Sequence, residues 1–370
     1  MNQFLIAPYT PADDAGARTL CKIPVSGNIV LALEREPNYY AGALLQYENP
    51  EIYVCHAPHT GGVCGLFSIG YRRIFMGGQL QKQRYFADLR IDPAFQKTRL
   101  FYQIVQYLKT HHLTPTDGNA ALTVVFTDNL IMQNMIKKRN GDIRTPCYHY
   151  VCNYFTQIMP LSSHRNPFYN YPKYIVRKAT MADAHLMQSF LLENAPKKQG
   201  YPYYDYTQMS HSYYQNLDFN NYYLAFEMGK LVGFCAVWNQ KNIKQTRIVS
   251  YSKFFSLARP IINMVSKIIG GFQLPPAGSI SNYFYIHNVL ITNNLTNIFE
   301  TLLHQIQSEH QQKRYDYFMV GLCEGDDLLN IFTKIKSKRT VQGKVYAVND
   351  SIIPPSYVDY RPYYLEIGRI

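Results

Sequence analysis

Leu89 to Val105 reads LRIDPAFQKTRLFYQIV, and it contains the end of a strand, a proline turn and the start of an amphipathic helix. The turn, Gln96-Lys97-Thr98-Arg99-Leu100-Phe101, opens a helix whose Leu100, Ile104 and Leu108 recur at the spacing of one buried face. A helix start offers free N–H groups and the positive end of the dipole, so this turn has the position of a phosphate-binding loop. Such loops rely on glycine, which admits positive φ and lets phosphate oxygens reach the backbone. This one has no glycine. Two readings stay open. Either Lys97 and Arg99 supply side-chain charge in place of a backbone cradle, or Gln96 to Arg99 is the polar first turn of a core helix.

The rest of the chain bounds the answer. At 370 residues, two domains of ordinary size are expected, and 47% hydrophobic with 17% charged residues is a globular composition. The 33 Tyr and 20 Phe suit polar-lined cores and clefts, because a buried tyrosine packs as a hydrophobe while its hydroxyl finds a partner. The net charge of +12 points to an anionic partner such as a phosphorylated cofactor, a nucleic acid, an acidic lipid surface or an acidic protein. The basic residues are dispersed, however, and only short clusters form at Lys137-Lys138-Arg139, Lys197-Lys198 and Lys334 to Arg339. That pattern favours surface solubility over a nucleic-acid stripe. Seven cysteines without a CxxC pair (Cys21, Cys55, Cys64, Cys147, Cys152, Cys235 and Cys323) point to free thiols in a reducing compartment. No signal peptide is evident, and ARPIINMVSKIIGGF is too short and too interrupted by Lys267 to span a bilayer. The expected location is the cytoplasm.

The composition breaks between Met159 and Tyr174, where MPLSSHRNPFYNYPKY interrupts periodic structure on both sides. This places a first domain at 1–160, a linker at 161–173 and a second domain at 174–370. Both halves follow one grammar. FLIAPYTPADDAG gives a strand, Thr10 as a helix cap and Pro11 at the first helical position, and YIVRKATMADAH repeats the plan with Thr180. EIYVCHAP and GVCGLFSIGYRRIFM, joined at Thr60-Gly61-Gly62, make an antiparallel pair, as does NYYLAFEMGKLVGFCAVW about Met228-Gly229-Lys230. Strand-helix-strand-helix-strand then follows in each half. The expected class is α/β with a mixed sheet, because the late crossovers favour parallel neighbours.

In this order the residues resemble the Gcn5-related N-acetyltransferase (GNAT) superfamily, and the resemblance runs through both halves. YIVRKATMAD is similar to the family's opening strand and helix, YYLAFEMGKLVGFCAVW to its second and third strands, and FADLRIDPAFQKTRLFYQIVQYL to its acyl-CoA motif. The chain is thus identified as two consecutive GNAT-like domains. The resemblance implies transfer of an acyl group from acetyl-CoA, or another acyl-CoA, to an amine. The N-terminal half is the better acyl-CoA binder, the C-terminal half a degenerate, structural or acceptor-shaping partner. In the family, the motif reads Gln/Arg-x-x-Gly-x-Gly/Ala, so Gln96 matches while Arg99 and Phe101 stand where small residues belong. The implied cofactor residues are Leu89, Arg90 and Ile91 on the strand, where a backbone N–H meets the thioester carbonyl, and Gln96, Lys97, Thr98, Arg99, Leu100 and Phe101 in the turn. In the second half, VLITNNLTNIFETLL lacks the motif residues, and Asn293 and Asn294 are expected to form a turn or cap.

The resemblance also implies an acid for the departing thiolate, commonly a tyrosine on the helix after the next strand. That position is Ile136, which cannot donate a proton, so the donor is unassigned, with Tyr148 or Tyr150 as replacements. Asp88 takes the place of an acidic residue that faces the acceptor amine, as a binding group or base, or else it forms a salt bridge with Arg84 or Arg90. Glu34, Glu36, Tyr39 and Tyr40 fall in the region that shapes the acceptor site, or simply begin a helix after Pro37. No metal is expected: strand alternation sends Cys55 and His56 to opposite faces, so Cys55, His56, His59 and Cys64 make a poor zinc set. His111 and His112 complement a helix C-terminus, and His287 is a candidate base in the second half. Two rivals remain. One is an inactive pair that binds a peptide, a protein or RNA; the other is an aminoacyl-tRNA-dependent transferase, which lacks its coiled-coil arm here.

Overall fold

The computed structural model describes residues 4–25, 28–113, 120–139, 145–161, 166–311, 315–355 and 359–370. The first half supplies strands β1 (Leu5–Pro8), β2 (Ile29–Glu34), β3 (Asn49–His56), β4 (Val63–Met76), β5 (Gln79–Ile91), β6 (Ala121–Phe126) and β7 (Cys147–Pro160). Its helices are α1 (Asp14–Cys21), α2 (Tyr39–Gln46), α3 (Leu100–His112) and α4 (Leu130–Arg139). The second half continues with β8 (Tyr174–Lys178), β9 (Tyr201–Pro202), β10 (Tyr222–Glu227), β11 (Lys230–Trp238), β12 (Gln245–Tyr251), β13 (Tyr283–Ile291), β14 (Tyr317–Cys323) and β15 (Arg339–Asn349). Helices α5 (Ala184–Asn194), α6 (Lys253–Ile269), α7 (Thr296–His310) and α8 (Asn330–Thr333) lie between them. Both halves start their first helix by the same device. Thr10 donates its N–H and hydroxyl to Asp13 Oδ2, and Thr180 does the same to Asp183 Oδ2. A carboxylate one turn in thereby satisfies groups that a helix start leaves open.

The strands form a mixed α/β structure about one thirteen-stranded sheet, ordered β1-β3-β4-β5-β6-β15-β7-β14-β13-β11-β10-β8, with β9 added on β4. The centre of this order departs from chain order. The last strand of the second half, β15, lies antiparallel between β6 and β7, while β7 lies antiparallel between β15 and β14. Each half therefore completes its sheet with the other's final strand. A separate ribbon, β2 against β12, also joins them, tied by Glu34 and Arg247 in a two-point ion pair of 2.7 and 3.0 Å.

Two places in the sheet open. Parallel β5 and β6 share the single pair Tyr85–Leu122, and parallel β13 and β14 share Tyr283–Tyr317 through Ile286–Val320 before parting. Each opening is edged by a bulge. Asp88 and Leu89 together oppose Phe67, Asn288 and Val289 together oppose Cys235, and Asp88 and Asn288 have φ of 53° and 54°. Short polar side chains tolerate this left-handed conformation, which explains the residue types at both bulges.

The largest core cluster surrounds the second opening and is rich in tyrosine. Its hydroxyls need internal partners, and Asn288 supplies several: its side chain accepts from Tyr201 and donates to Tyr206 at 2.7 Å. All seven cysteines are free and buried.

Candidate functional site

A cavity of about 610 Å³ occupies the opening between β5 and β6. Tyr85 to Arg90 form one wall and Thr123 to Phe126 the other. Lys244, Gln245 and Thr246 close it from the ribbon, while Tyr283, Tyr285 and Tyr317 reach it from the second half. The wall is largely apolar with a few convergent polar groups, the usual make-up of a small-molecule site.

Those polar groups centre on Asp88. Arg35 Nη2 lies 3.4 and 3.3 Å from its two oxygens, the Tyr39 hydroxyl donates at 3.1 Å, and Arg90 Nη2 stands at 4.0 Å. Burial alone would raise the Asp88 pKa, but Arg35, Arg90, Lys244 and Tyr39 together bring it below the usual carboxylate range. Asp88 is therefore an ionised counter-ion. Lys244 moves the other way: burial and the neighbouring Arg35 push it well below the ordinary lysine range, against the pull of Asp88. Its Nζ donates to the Ile370 carbonyl at 3.0 Å. Arg35 Nε and Arg90 Nε are buried with no hydrogen-bond partner among the described residues. Two arginine cations, with the Lys244 amine beside them, thus meet one anion at the cavity wall, which favours an electron-rich ligand.

The turn at Gln96–Phe101 lies outside this wall, of which only Leu89 and Arg90 among the strand residues Leu89, Arg90 and Ile91 form part. Gln96, Lys97, Thr98 and Arg99 are exposed, Phe101 is half-buried, and Leu100 is fully buried against the core. None of the six has positive φ, so the conformation does not require glycine. Several N–H groups already have partners: Gln96 donates to Pro93 O, Thr98 to Phe95 O, and Leu100 to Thr98 Oγ1 at 3.2 Å. The Thr98 hydroxyl therefore takes up the first N–H of α3, whose N-cap is Arg99, and reduces the backbone donors left for an anion.

Of the expected acceptor-site residues, Tyr39 reaches the site through its bond to Asp88. Glu34 pairs with Arg247, and Glu36 pairs with Arg18 at 2.5 Å and Lys22 at 3.0 Å. Tyr40 is exposed. Ile136 packs in the core with Val125 and Tyr346. Tyr148 lines the cavity and is pushed up to about 12 by burial, whereas Tyr150 donates to Glu324 at 3.0 Å. His56 Nδ1 contacts Gly61 O at 2.9 Å, and among the described residues no His, Cys, Asp and Glu cluster could hold a metal ion.

The second opening is filled by the chain itself. The Asn288 N–H donates to Glu366 Oε2 at 2.7 Å and the Val289 N–H donates to the Tyr364 hydroxyl at 3.0 Å. The short turn Ile367–Arg369 packs on both β13 and β14. The buried Arg369 guanidinium reaches Leu45 O, Tyr213 O and the Tyr204 hydroxyl, and stacks 3.4 Å over the Tyr213 ring. His287 is held within this packing, its Nδ1 2.9 Å from Glu366 Oε1. Asn293 and Asn294 form a left-handed turn after β13, but the α7 cap position is Leu295.

Arg35, Lys244 and the Tyr283/Tyr285/Tyr317 group were missed by sequence reasoning. Arg35 sits within EREPNYYAG and was legible as a cation between two acids. Lys244 and the tyrosines carried no local signal, because strand exchange and the ribbon bring them to the cavity from more than 150 residues away.

No family model matches the sequence, and no curated protein matches it. Solved structures do. A GCN5-related N-acetyltransferase from Sphaerobacter thermophilus superimposes with a TM-score of 0.54 at 11% identity, covering 94% of this chain and 95% of its own. Another, from Anabaena variabilis, gives 0.50 at 13% identity over 93% of this chain and 72% of its own. The chain has the GNAT fold.

Proposed function

We infer that the chain is an N-acyltransferase that moves an acyl group from acetyl-CoA, or another acyl-CoA, to an amine in the β5–β6 cavity. One observation carries this reading: β5 and β6 meet at a single residue pair and then part around a cavity edged by the Asp88 bulge. A bulge leaves a residue out of the ladder, so the backbone at Asp88–Leu89 supplies an N–H for a thioester carbonyl. The apolar walls fit the acyl and pantetheine portions. The exposed Lys97 and Arg99 side chains contact phosphate in place of a glycine cradle. Asp88 holds Arg35 and Tyr39 in place. Lys244, whose pKa burial brings down, receives the proton of the attacking amine, and Tyr148 returns one to the leaving thiolate. In this reading, 1–160 and 174–370 are two GNAT-like halves joined by 161–173. The second is structural, since its own opening is filled by Tyr364 to Arg369. Seven free cysteines support a cytoplasmic setting.

Calorimetric titration of acetyl-CoA and free CoA into the full chain tests the reading. Saturable binding to one site is expected, weakened in a Gln96→Ala/Lys97→Ala/Arg99→Ala variant and blocked when Val124→Trp fills the cavity. Absence of saturable binding at millimolar ligand would sink it.

A further inference from the structure

Helix α6 presents its residues in an inverted order for a soluble protein. Its inner side is held by polar contacts: Asn263 Nδ2 donates to Leu274 O at 3.0 Å, the Leu274 N–H donates to Asn263 Oδ1 at 2.7 Å, and Ser266 is buried. Its outer side carries Phe254, Leu257, Ile261, Met264 and Ile268 on one stripe, each between 61% and 83% exposed. A surface helix ordinarily does the reverse. The ends are properly made, with Ser252 accepting the Phe255 N–H and Gly270 closing the helix at φ 75°. The outward apolar face is thus set by specific bonds on the opposite side.

Charge selects the occupant. Lys253 and Lys267 are exposed beside the stripe, and the whole stretch from Ile248 to Phe299 contains no Asp or Glu. A second copy of a chain carrying +12 would bring the same lysines against themselves. An anionic bilayer offers both acyl chains for the stripe and phosphates for the lysines. No described helix is long and apolar enough to cross a membrane, so the contact is a surface one.

We propose that α6 docks the protein on anionic phospholipid surfaces, lying in the bilayer plane with its Phe254–Ile268 stripe among the acyl chains. β12 runs directly into α6, and its first residues, Gln245 and Thr246, line the cavity. Docking therefore tethers the cavity wall to the membrane surface.

The test is co-sedimentation of the full chain with phosphatidylcholine vesicles, with or without phosphatidylglycerol. Binding to the anionic vesicles is expected, weakening with salt and at least about tenfold tighter than to neutral ones. Leu257→Glu/Ile261→Glu alters only exposed positions, so its circular dichroism and unfolding midpoint should match the parent while vesicle binding falls by about tenfold or more. Sedimentation with neither vesicle, equal binding to both, or full binding by the double variant would each overturn the proposal. So would self-association that the double variant abolishes while no vesicle binding occurs, because the occupant would then be a second copy.

Discussion

Asp88→Asn isolates the charge at the centre of the cavity wall. The substitution keeps the size of the side chain, and asparagine accepts the left-handed backbone at φ 53°, as Asn288 does at the matching bulge. What it removes is the anion facing Arg35 at 3.3 Å, with Arg90 at 4.0 Å. At that distance, and an effective dielectric of about 20, the attraction to Arg35 alone is roughly 5 kcal/mol. Removing one member of a buried pair costs about 3–5 kcal/mol, because the remaining cation stays desolvated. Asn retains an acceptor for Tyr39, so the lower end, about 3 kcal/mol, is expected. Asp88→Ala should cost about 1–2 kcal/mol more, since alanine at positive φ is strained. Urea unfolding followed by the buried Trp238 measures both. The pH dependence supplies a second reading. Because the folded carboxyl is held below its unfolded value of about 3.9, the native state binds fewer protons than the unfolded chain in that window. The stabilisation is complete above roughly pH 5 and is lost as the pH falls through the depressed value. Asp88→Asn should flatten that acid limb. A loss under about 1 kcal/mol, or an unchanged acid limb, would refute the assignment of Asp88 as the ionised counter-ion of Arg35.

Tyr148→Phe should lower kcat about a hundredfold or more with little change in KM, as expected for loss of a proton donor; steady-state kinetics with a productive amine decides, and unchanged kcat removes Tyr148 from the mechanism. For Lys244, whose pKa lies below the ordinary range, activity should rise with pH as the amine becomes neutral, and Lys244→Met should remove that rising limb. Gly321→Ala would place a Cβ 1.7 Å from the Tyr154 hydroxyl and 3.0 Å from Ile367 Cβ, so a loss of about 1–3 kcal/mol is expected in the same unfolding assay. Residues 1–160 expressed alone leave β6 and β7 without β15, so poor amide protection and non-cooperative unfolding are expected. A dispersed, cooperatively unfolding fragment would show that β15 is dispensable to that half.

Much of the architecture was legible where its signals are local. Thr10 and Thr180 announce helix starts by residue type, Pro93 ends a strand, and Leu100, Ile104 and Leu108 mark one face of α3. The tyrosine count foretold a core with internal polar partners, which Asn288 and Arg369 provide. The site was less legible. Asp88 was in view with both of its roles, but its chief partner is Arg35, which alternation along a single strand does not bring beside it. The apolar run in α6 was visible only as too short for a membrane span. That it faces outward follows from Asn263 bonding to Leu274, a pairing that periodicity cannot reveal.

The sequence by itself determined the hairpins, the strand and helix alternation that follows them, the turn chemistry and the absence of glycine at Arg99 and Phe101, because these depend on residues within a few positions of one another; the β2–β12 ribbon and helix α6 were not read from it. Tertiary structure alone decided which strands are neighbours at the centre of the sheet. β7 and β15 cross between the halves, and this brings Tyr283, Tyr285 and Tyr317 to the first opening while Tyr364 to Arg369 fill the second. Backbone ladders accept any extended partner of suitable length. The choice between β7 and β15 is therefore made by burial of whole faces in the assembled sheet, not by any local pattern.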